Sequence, residues 1–249
     1  MAESVKTIGI VLKSSPHTTD AARLLEIFSP ELGRFFAVIR GVEKPKAKLA
    51  VCASPFCLGE FVLAEKGGRY TVTDCYVHDT FYDLAYNLDS YVLASAMLEI
   101  SGKLSQEGES NFELFKLLLN CLKVLAYEKS EPTATLIKFI IESLKLSGFG
   151  FDLDICGNCG KSMKNEVSAG LVYEGSGVIC NSCENRVQSV HLEKGEWAIL
   201  KNINSCDINS LATLKFSSRE QLTNMLKLAV KQFYFRTNEK ITCLSKYFE

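Results

Sequence analysis

Two Cys-x-x-Cys pairs constrain the fold of this chain more than any other feature of its sequence. Cys156 and Cys159 form the first pair, Cys180 and Cys183 form the second, and twenty residues separate the pairs. Two such pairs at this spacing are typical of a site in which four thiolates bind one Zn²⁺ ion. Because four sulfur ligands leave no open coordination position, we expect one zinc ion per chain, with a structural role.

The residues between the two pairs have the pattern of a β-hairpin. Short apolar segments at residues 169–173 and 178–179 flank the turn sequence Glu174-Gly175-Ser176-Gly177. Glycines supply the positive φ angles that a tight hairpin turn needs. We therefore expect a zinc-binding ribbon at residues 153–186, inserted into a larger domain. The alternative is that four free cysteines share this spacing by chance.

Six further cysteines are scattered through apolar stretches, which is typical of buried thiols and not of a disulfide scaffold. The apolar run after Met1 covers residues 8–12, too short for a secretory signal, and no apolar run is long enough to cross a membrane. These features predict a cytoplasmic protein with reduced cysteines. The six are Cys52, Cys57, Cys75, Cys121, Cys206 and Cys243.

Residues 1–80 have the pattern of a small β-barrel. Apolar and β-branched segments of strand length alternate with turn residues such as Ser29-Pro30 and Gly67-Gly68. Closing a sheet into a barrel removes its exposed edges, and the five-stranded OB-fold is the simplest such architecture for strands this short. We expect the strands at residues 7–13, 23–28, 34–40, 60–65 and 69–77.

The third predicted strand indicates where a nucleic acid would bind. Strand alternation places Arg34, Phe36 and Arg40 on one face. Such a face suits single-stranded nucleic acid, since cations contact phosphates and the ring stacks on a base. In the alternative interpretation, Phe36 belongs to the core and the lysines that follow keep a loop soluble. The candidate DNA-binding residues are Lys6, Lys13, Arg34, Phe36, Arg40, Lys44, Lys46 and Lys48.

Charge is unevenly distributed along the chain. The net charge is −1, which argues against a strongly basic nucleic-acid-binding protein. Residues 1–50 nevertheless carry a net charge of +3 and residues 215–249 one of +4, whereas residues 51–214 carry −8. Basic ends around an acidic centre still allow phosphate binding at local sites.

The rest of the chain has helical periodicity on both sides of the ribbon. Asn111 and Ser218 are candidate N-caps, and the last helix carries Lys227, Lys231 and Arg236 on its surface. Helices are expected near residues 84–98, 112–125, 136–144, 194–203 and 218–236. The first helix is expected to pack through one stripe: Leu84, Leu88, Tyr91, Ser95 and Leu98.

The predicted fold class is therefore α+β and multidomain. An N-terminal five-stranded OB-fold β-barrel is expected at residues 1–80, as the candidate DNA-binding domain. A helical central and C-terminal domain occupies residues 81–249, with the four-cysteine zinc ribbon inserted at residues 153–186.

No arrangement of residues typical of an enzyme active site is found in the sequence. The three histidines lack the spacing of zinc deaminases and metalloproteases. Gly160-Lys161-Ser162 is similar to the end of a phosphate-binding loop, but Ile155 stands where the first glycine of that loop is required. We therefore expect no catalytic residues and no nucleotide cofactor.

The order of barrel, helices, ribbon and basic final helix resembles one family, RecO, the bacterial recombination mediators. Motifs that carry the resemblance run the length of the chain. They are residues 7–13, 28–34, 41–49, 55–56, 60–63 and 148–154, then Cys156-x-x-Cys159-Gly160 and the stretch from Gly175 to Cys183.

The resemblance to RecO implies a role in DNA repair, with an OB-fold that binds single- and double-stranded DNA. It implies ATP-independent annealing of complementary strands and, with RecR, loading of RecA onto single strands coated by single-strand-binding protein (SSB). It also implies that the helical part binds the acidic, Phe-ended tail of SSB, and that the protein acts in the bacterial cytoplasm at the nucleoid.

Two other functions remain open from the residues alone. One is a zinc-containing enzyme that modifies nucleic acid, for which the sequence offers no nucleophile with a base. The other is a non-catalytic adaptor, in which the barrel and the ribbon bind other proteins.

Overall fold

The chain divides into two compact units. The computed structural model describes residues 3–18, 22–42, 49–175 and 177–248. The first unit comprises Met1–Asn87 and Leu98–Leu122, and the second comprises Leu88–Met97 and Lys123–Glu249.

Within the described ranges, five strands of the first unit close into a barrel. Their order around the barrel is β1-β2-β3-β5-β4, and β4 pairs with β1 to close it. Pairings among these strands are antiparallel except that between β3 and β5. This closed barrel confirms the predicted OB-fold. The strands are β1 (Glu3–Pro16), β2 (Ala22–Ser29), β3 (Gly33–Arg40), β4 (Leu58–Lys66) and β5 (Arg69–Asp79).

Strand β1 changes its partner part-way along its length. Glu3 to Ile10 pairs with β4, and Ile10 to Pro16 pairs with β2. A bulge interrupts the β1–β2 register between Val11 and Lys13. Because a bulge bends a strand and re-aims the side chains that follow it, Val11 is buried while Lys13 is exposed.

Apolar side chains from all five strands fill the barrel. In β3 the buried residues Phe35, Ala37 and Ile39 alternate with Phe36 and Arg40 on the outside. Phe36 is 39% exposed, so the interpretation that placed it in the core is wrong. Other strands contribute Val11, Leu25, Ile27, Phe61, Leu63 and Val72 to this core.

Helix α1 (Leu88–Leu104) buries a different side from the one that its sequence predicts. Leu88 is 78% exposed and Tyr91 is 43% exposed. Asn87 has an extended backbone between a 3₁₀ turn and α1. The regular helical spacing that the prediction counts from Leu84 is therefore interrupted before α1 begins. Leu98 is buried as predicted, but the other buried apolar residues of α1 lie outside the predicted stripe: Leu93, Ala94, Ala96, Met97 and Ile100.

The connection from α1 to α2 (Phe112–Tyr127) is attached to the start of β3. The Arg34 amide donates to the carbonyl of Gln106 at 3.3 Å, and the Gly108 amide donates to the carbonyl of Arg34 at 3.3 Å. Since all of these residues belong to the first unit, the connection is part of the barrel unit.

Both predicted N-caps are present. The side-chain oxygen of Asn111 accepts from the Leu114 amide at 3.1 Å at the start of α2. The Ser218 hydroxyl accepts from the Gln221 amide at 3.2 Å at the start of the last helix. Each cap satisfies an amide that lacks a partner within its own helix.

The second unit combines helices with the ribbon. Helix α3 packs against α5 and α6, and its residues from Leu136 to Ile141 are buried. The predicted helices of this unit are confirmed, with bounds that differ by a few residues: α3 (Pro132–Leu146), α5 (Lys194–Ser205) and α6 (Arg219–Thr237). The short helix α4 (Asn181–Glu184), in the second cysteine pair, was not predicted.

A small three-stranded sheet combines the ribbon hairpin with a strand that follows the ribbon. Strands β6 (Ala169–Val172) and β7 (Gly177–Ile179) form the predicted hairpin. A third strand, β8 (Val190–Leu192), pairs with the other edge of β6. Strand β8 was not predicted, because three residues are too few for alternation to be recognised.

The domain boundary at residue 80 stays a prediction. The compact barrel unit also contains Leu98–Leu122, from α1 and α2. Among the described helices, none is both long and apolar enough to cross a membrane.

A glycine substitution tests the attachment of the α1–α2 connection to β3. Gly33 has a φ of +63°, and a Cβ there would overlap the backbone oxygen of Glu109. Gly67 has a φ of +60°, and a Cβ there would have no atom within 4 Å. We expect Gly67→Ala to lower the free energy of unfolding by about 1 kcal/mol through backbone strain alone. Gly33→Ala should lower it by about 3 kcal/mol or more, because the connection must also move.

Urea unfolding of both variants, followed by circular dichroism, measures the difference. Equal losses in the two variants would show that the connection does not pack against Gly33.

Candidate metal centre and nucleic-acid interface

The four ribbon cysteines converge on one point. The Sγ atoms of Cys156, Cys159, Cys180 and Cys183 all lie within 4.8 Å of one another. The Cys159 and Cys180 sulfurs are 3.8 Å apart, which is the ~3.8 Å separation that a tetrahedral ion with sulfur bonds of ~2.3 Å requires. This donor set could therefore hold a metal ion.

Each Cys-x-x-Cys pair is bent by hydrogen bonds within its own turn. The Gly160 amide donates to the carbonyl of Cys156 at 2.9 Å in the first turn. The Cys183 amide donates to the carbonyl of Cys180 at 2.8 Å in the second. These turns direct both sulfurs of a pair to the same side of the backbone.

Hydrogen bonds to the Cys156 sulfur favour the ionised form that binds metals. Burial acts to raise the pKa of the Cys156 thiol, but amide hydrogen bonds from Cys180, Cys159 and Asn158 outweigh it and lower that pKa to about 6. Burial instead raises the pKa of the Cys180 thiol, and despite an amide hydrogen bond from Lys161, bonds with neighbouring thiols raise the pKa of Cys159. The Cys180 amide donates to the Cys156 sulfur at 3.3 Å. The Asn158 side-chain amide donates to the Cys183 sulfur at 3.2 Å. Thiolates are the metal-binding form of cysteine.

The ribbon is fastened to α5 through one carbonyl. The buried Trp197 donates its indole N–H to the carbonyl of Glu166 at 3.0 Å, and Lys201 donates to the same oxygen at 3.2 Å. Glu166 lies between the two cysteine pairs, and its carboxylate also forms an ion pair with Lys161 at 2.7 Å. Trp197 is the one tryptophan in the sequence, so its fluorescence reports on this attachment.

A cation, a carboxylate and an aromatic ring form a row across three strands of the barrel. Lys13 of β1 is opposite Glu26 of β2, which is opposite Phe36 of β3. The guanidinium carbon of Arg34 lies 5.9 Å from the centre of the Phe36 ring. Arg34 and Phe36 thus lie together, as predicted, and Arg40 is exposed at the end of β3. The strand register adds Lys13, which was not predicted on this face.

Two of the predicted DNA-binding cations have acidic neighbours. Arg34 forms an ion pair with Glu26 at 3.5 Å, and Lys6 forms one with Glu60 at 3.9 Å. Neither carboxylate could be placed beside its cation from the sequence, because the pairing depends on strand register. These carboxylates reduce the positive potential that Arg34 and Lys6 offer to a phosphate.

Lys6 lies far from the other candidate DNA-binding residues of the barrel. It precedes Lys13 by seven residues on β1, a distance of ~23 Å along a strand. Its own surroundings include an aromatic residue that was not predicted, since Glu60 of β4 is opposite Tyr76 of β5. Tyr76 is 56% exposed. The other predicted lysines, Lys44, Lys46 and Lys48, lie outside the described residues.

Two family descriptions together match nearly the whole chain. "Recombination protein O N terminal" matches residues 1–81, and "Recombination protein O C terminal" matches residues 85–236. The chain belongs to the RecO family. The predicted family and the fold class expected for it are therefore confirmed.

RecO proteins of several bacteria are similar to this chain along its length. The DNA repair protein RecO of Acetivibrio thermocellus is 27% identical over 251 residues, which cover 96% of this chain and 99% of that protein. The RecO of Clostridium kluyveri is 25% identical over 241 residues, or 96% and 92% of the two chains. The RecO of Desulforamulus reducens is 27% identical over 240 residues, or 95% and 92%.

This RecO-family chain has a second group of cysteines, since the sulfurs of Cys52, Cys57 and Cys75 all lie within 4.8 Å of one another in the barrel. These three and Cys121 are buried, as predicted, whereas Cys206 is half-buried and Cys243 is exposed. Hydrogen bonds from Cys57 and Cys75 lower the pKa of Cys52, and the bond to Cys52 raises the pKa of the other two thiols. The sequence contains no signal for this group, since its residues follow no metal-binding spacing.

Metal removal tests the role of the ribbon cysteines. Without a cation the four sulfurs have no common partner, so we expect residues 153–186 to loosen and the bond from Trp197 to Glu166 to weaken. A chelator should shift the fluorescence of Trp197 to longer wavelength and expose these residues to protease. The double variant Cys180→Ser/Cys183→Ser should give the same shift without chelator.

Cys206→Ser is the matched control, because Cys206 lies outside the ribbon group and should leave the fluorescence unchanged. A chelated protein with unaltered fluorescence and protease resistance at residues 153–186 would contradict a structural role for the metal.

Proposed function

We propose that this chain is a DNA repair protein that mediates recombination by binding DNA with its barrel. The observation that carries the proposal is the row of Lys13, Glu26 and Phe36 on the barrel of a RecO-family chain, with Arg34 beside it. Lys13 and Phe36 are exposed, whereas Glu26 and Arg34 are half-buried. An exposed ring next to cations on an OB-fold strand is suited to single-stranded nucleic acid. The RecO relatives are named DNA repair proteins.

The chemistry of this face would be electrostatic and stacking. Lys13 and Arg40 neutralise phosphates, and the Phe36 ring stacks on a base, an interaction of ~1–3 kcal/mol. Two strands held on a cationic surface repel each other less, so complementary bases pair without ATP. Because Arg34 and Lys6 are partly neutralised by Glu26 and Glu60, they contribute less than Lys13 and Arg40.

Lys44, Lys46 and Lys48 complete the proposed DNA-binding set. They follow β3 in the sequence, directly after the strand that carries Arg34, Phe36 and Arg40, and lie outside the described residues. Three lysines within five residues supply up to three phosphate contacts.

The resemblance to RecO supports a place for this annealing activity in recombination. With RecR, the chain would load RecA onto single strands that SSB coats, and it would bind double-stranded DNA as well. A protein that acts on the bacterial chromosome works in the cytoplasm at the nucleoid.

The surface around α6 is our candidate for binding the SSB tail. An apolar pocket there is lined by Leu144 of α3, Leu200 of α5 and Ala229 of α6, among others. On this surface, Lys231 lies 4.6 Å from the ring of Tyr173, which stacks on the exposed ring of Phe235. Aromatic rings beside a cation suit a peptide that is acidic and ends in phenylalanine.

We propose that the ribbon group binds one Zn²⁺ ion per chain through Cys156, Cys159, Cys180 and Cys183. The four converging sulfurs match the tetrahedral, all-sulfur preference of structural zinc. When bound, the ion supplies cross-links between the two turns and no open coordination position. We therefore assign no catalytic residue, and we propose that the chain is not an enzyme.

An adaptor that binds proteins alone is the alternative function. It would show no DNA binding at low salt, with or without RecR. Release of any product from nucleic acid by the metal-loaded protein would instead indicate an enzyme.

Salt dependence tests the barrel face. The double variant Lys13→Ala/Arg40→Ala should reduce the slope of log affinity against log salt for single-stranded DNA by about 1.4, at ~0.7 per phosphate contact. Annealing of complementary strands without nucleotide should slow in parallel. Lys116→Ala/Lys123→Ala removes the same charge from exposed positions on α2 and should leave the slope unchanged.

Replacing Lys44, Lys46 and Lys48 by alanine should reduce the slope further, by about 2. If neither set of substitutions changes the slope, the DNA site lies elsewhere, with the basic residues of 218–246 as the next candidate.

A peptide titration tests the surface around α6. Lys231→Glu should weaken binding of an acidic, Phe-ended peptide by about tenfold, because the lysine would no longer face its carboxylates. Lys194→Glu makes the same charge change at an exposed position of α5 and should not affect binding. Fluorescence anisotropy of a labelled peptide measures both, and equal affinities would remove this surface from consideration.

A further inference from the structure

Three buried cysteines of the barrel core form a cluster that the proposed DNA binding does not use. Cys52 is 1% exposed, Cys57 is 0% exposed and Cys75 is 9% exposed. Their sulfurs all lie within 4.8 Å of one another. We call Cys52, Cys57 and Cys75 the barrel sulfur triad.

The backbone of the segment before β4 is folded tightly to bring the triad together. Cys52 lies in a 3₁₀ turn (Val51–Ala53), and Cys57 follows it by five residues. Phe56, between them, has a φ of +69°, a left-handed conformation that costs a bulky residue ~1–2 kcal/mol. A strained residue of this kind persists only where its surroundings hold it.

Backbone hydrogen bonds hold that conformation. The Phe56 amide donates to the carbonyl of Val11 at 3.0 Å, and the Val11 amide donates to the carbonyl of Cys57 at 2.9 Å. The Cys57 amide donates to the carbonyl of Ser54 at 3.2 Å. The segment is thus attached to β1 at its bulge, and Cys57 is fixed facing the barrel interior.

Cys75 approaches from the opposite side, on β5. It is opposite Phe61 of β4, and a Cβ built on Gly59 would lie 3.1 Å from the Cys75 sulfur. The absence of a side chain at Gly59 leaves the sulfur in its place beside the other two. The 3₁₀ turn, the residue before β4 and strand β5 thus each contribute one thiol to the same group.

The spacing of the triad suits a cation bound by three sulfurs. Among three atoms no more than 4.8 Å apart, a central point lies within about 2.8 Å of each, close to the ~2.3 Å length of a zinc–thiolate bond. Shifts of about half an ångström per sulfur would complete such bonds, within the reach of side-chain rotation.

The softness of thiolate ligands and the charge that they bring into the core determine which cation fits the triad. Thiolates prefer soft or borderline metal ions over magnesium and calcium. Three bound thiolates bring three negative charges into an apolar core, where uncompensated charge is strongly disfavoured. A divalent ion leaves one net negative charge and a monovalent ion leaves two, so the core favours the divalent ion.

We propose that Cys52, Cys57 and Cys75 form a second metal site of this chain, which binds a thiophilic divalent cation of the Zn²⁺ class inside the barrel. Binding releases the three thiol protons and forms three metal–sulfur bonds, with no change in oxidation state. The bound ion would fasten the segment before β4 to β5. It is separate from the ribbon group, which lies in the other unit of the chain.

Metal stoichiometry tests the proposal on the full-length chain. The protein is loaded with Zn²⁺ under a non-chelating reductant, freed of weakly bound metal by gel filtration, and analysed by elemental mass spectrometry. We expect two ions per chain. Cys57→Ala should lower this to one, because two sulfurs remain.

Cys121→Ala is the matched control. Cys121 is 0% exposed, belongs to the same unit and lies outside the triad, so this variant should still bind two ions. Cd²⁺ titration provides a second measurement, since cadmium–thiolate bonds absorb in the ultraviolet. Wild type should show the absorbance of seven cadmium-bound thiolates, four in the ribbon group and three in the triad. Cys57→Ala should show the absorbance of the four ribbon thiolates alone.

One ion per wild-type chain would overturn the proposal, as would two ions in both wild type and Cys57→Ala. A disulfide within the triad would also overturn it, and a count of eight instead of ten free thiols in unfolded, unreduced protein would reveal one. If Cys57→Ala does not fold, Cys52→Ala and Cys75→Ala give the same test, and the wild-type count alone remains decisive.

Discussion

Closure of the barrel depends on the bulge between Val11 and Lys13 in β1. One strand must pair with β4 through its first half and with β2 through its second half, and it bends at this point to do so. The same bulge turns Lys13 outward into the row with Glu26 and Phe36. On the inner side, Val11 holds the backbone around Cys57. A single irregularity therefore positions both the proposed DNA-binding face and the barrel sulfur triad.

The two groups of cysteines differ in how the chain forms them. In the ribbon, the two cysteines of each pair are three residues apart, so a local turn brings their sulfurs together. In the triad, Cys52 and Cys57 meet through a strained turn, and Cys75 arrives only when β5 pairs with β4. The ribbon group therefore stabilises a small local structure, whereas the triad depends on the finished barrel.

Features that follow from residues close together in sequence were predicted correctly. Alternation found all five barrel strands and the exposed side of Phe36, and the Cys-x-x-Cys spacing found the ribbon group. Features that depend on strand register were missed, such as the pairing of Arg34 with Glu26 and the convergence on Cys75. The α1 stripe failed for a related reason, since the extended Asn87 shifts the helical phase and periodicity alone cannot detect that break.

The parallel pairing of β3 with β5 has a consequence for synthesis. The ribosome completes β1, β2 and β3 first, and these can pair as neighbouring hairpins. The pairing partners of β1 and β3 are synthesised later: Glu3 pairs with Glu65 of β4, and Ile39 pairs with Val72 of β5. Until β4 and β5 emerge, the nascent chain therefore presents two open sheet edges, the kind of surface through which chains associate with one another.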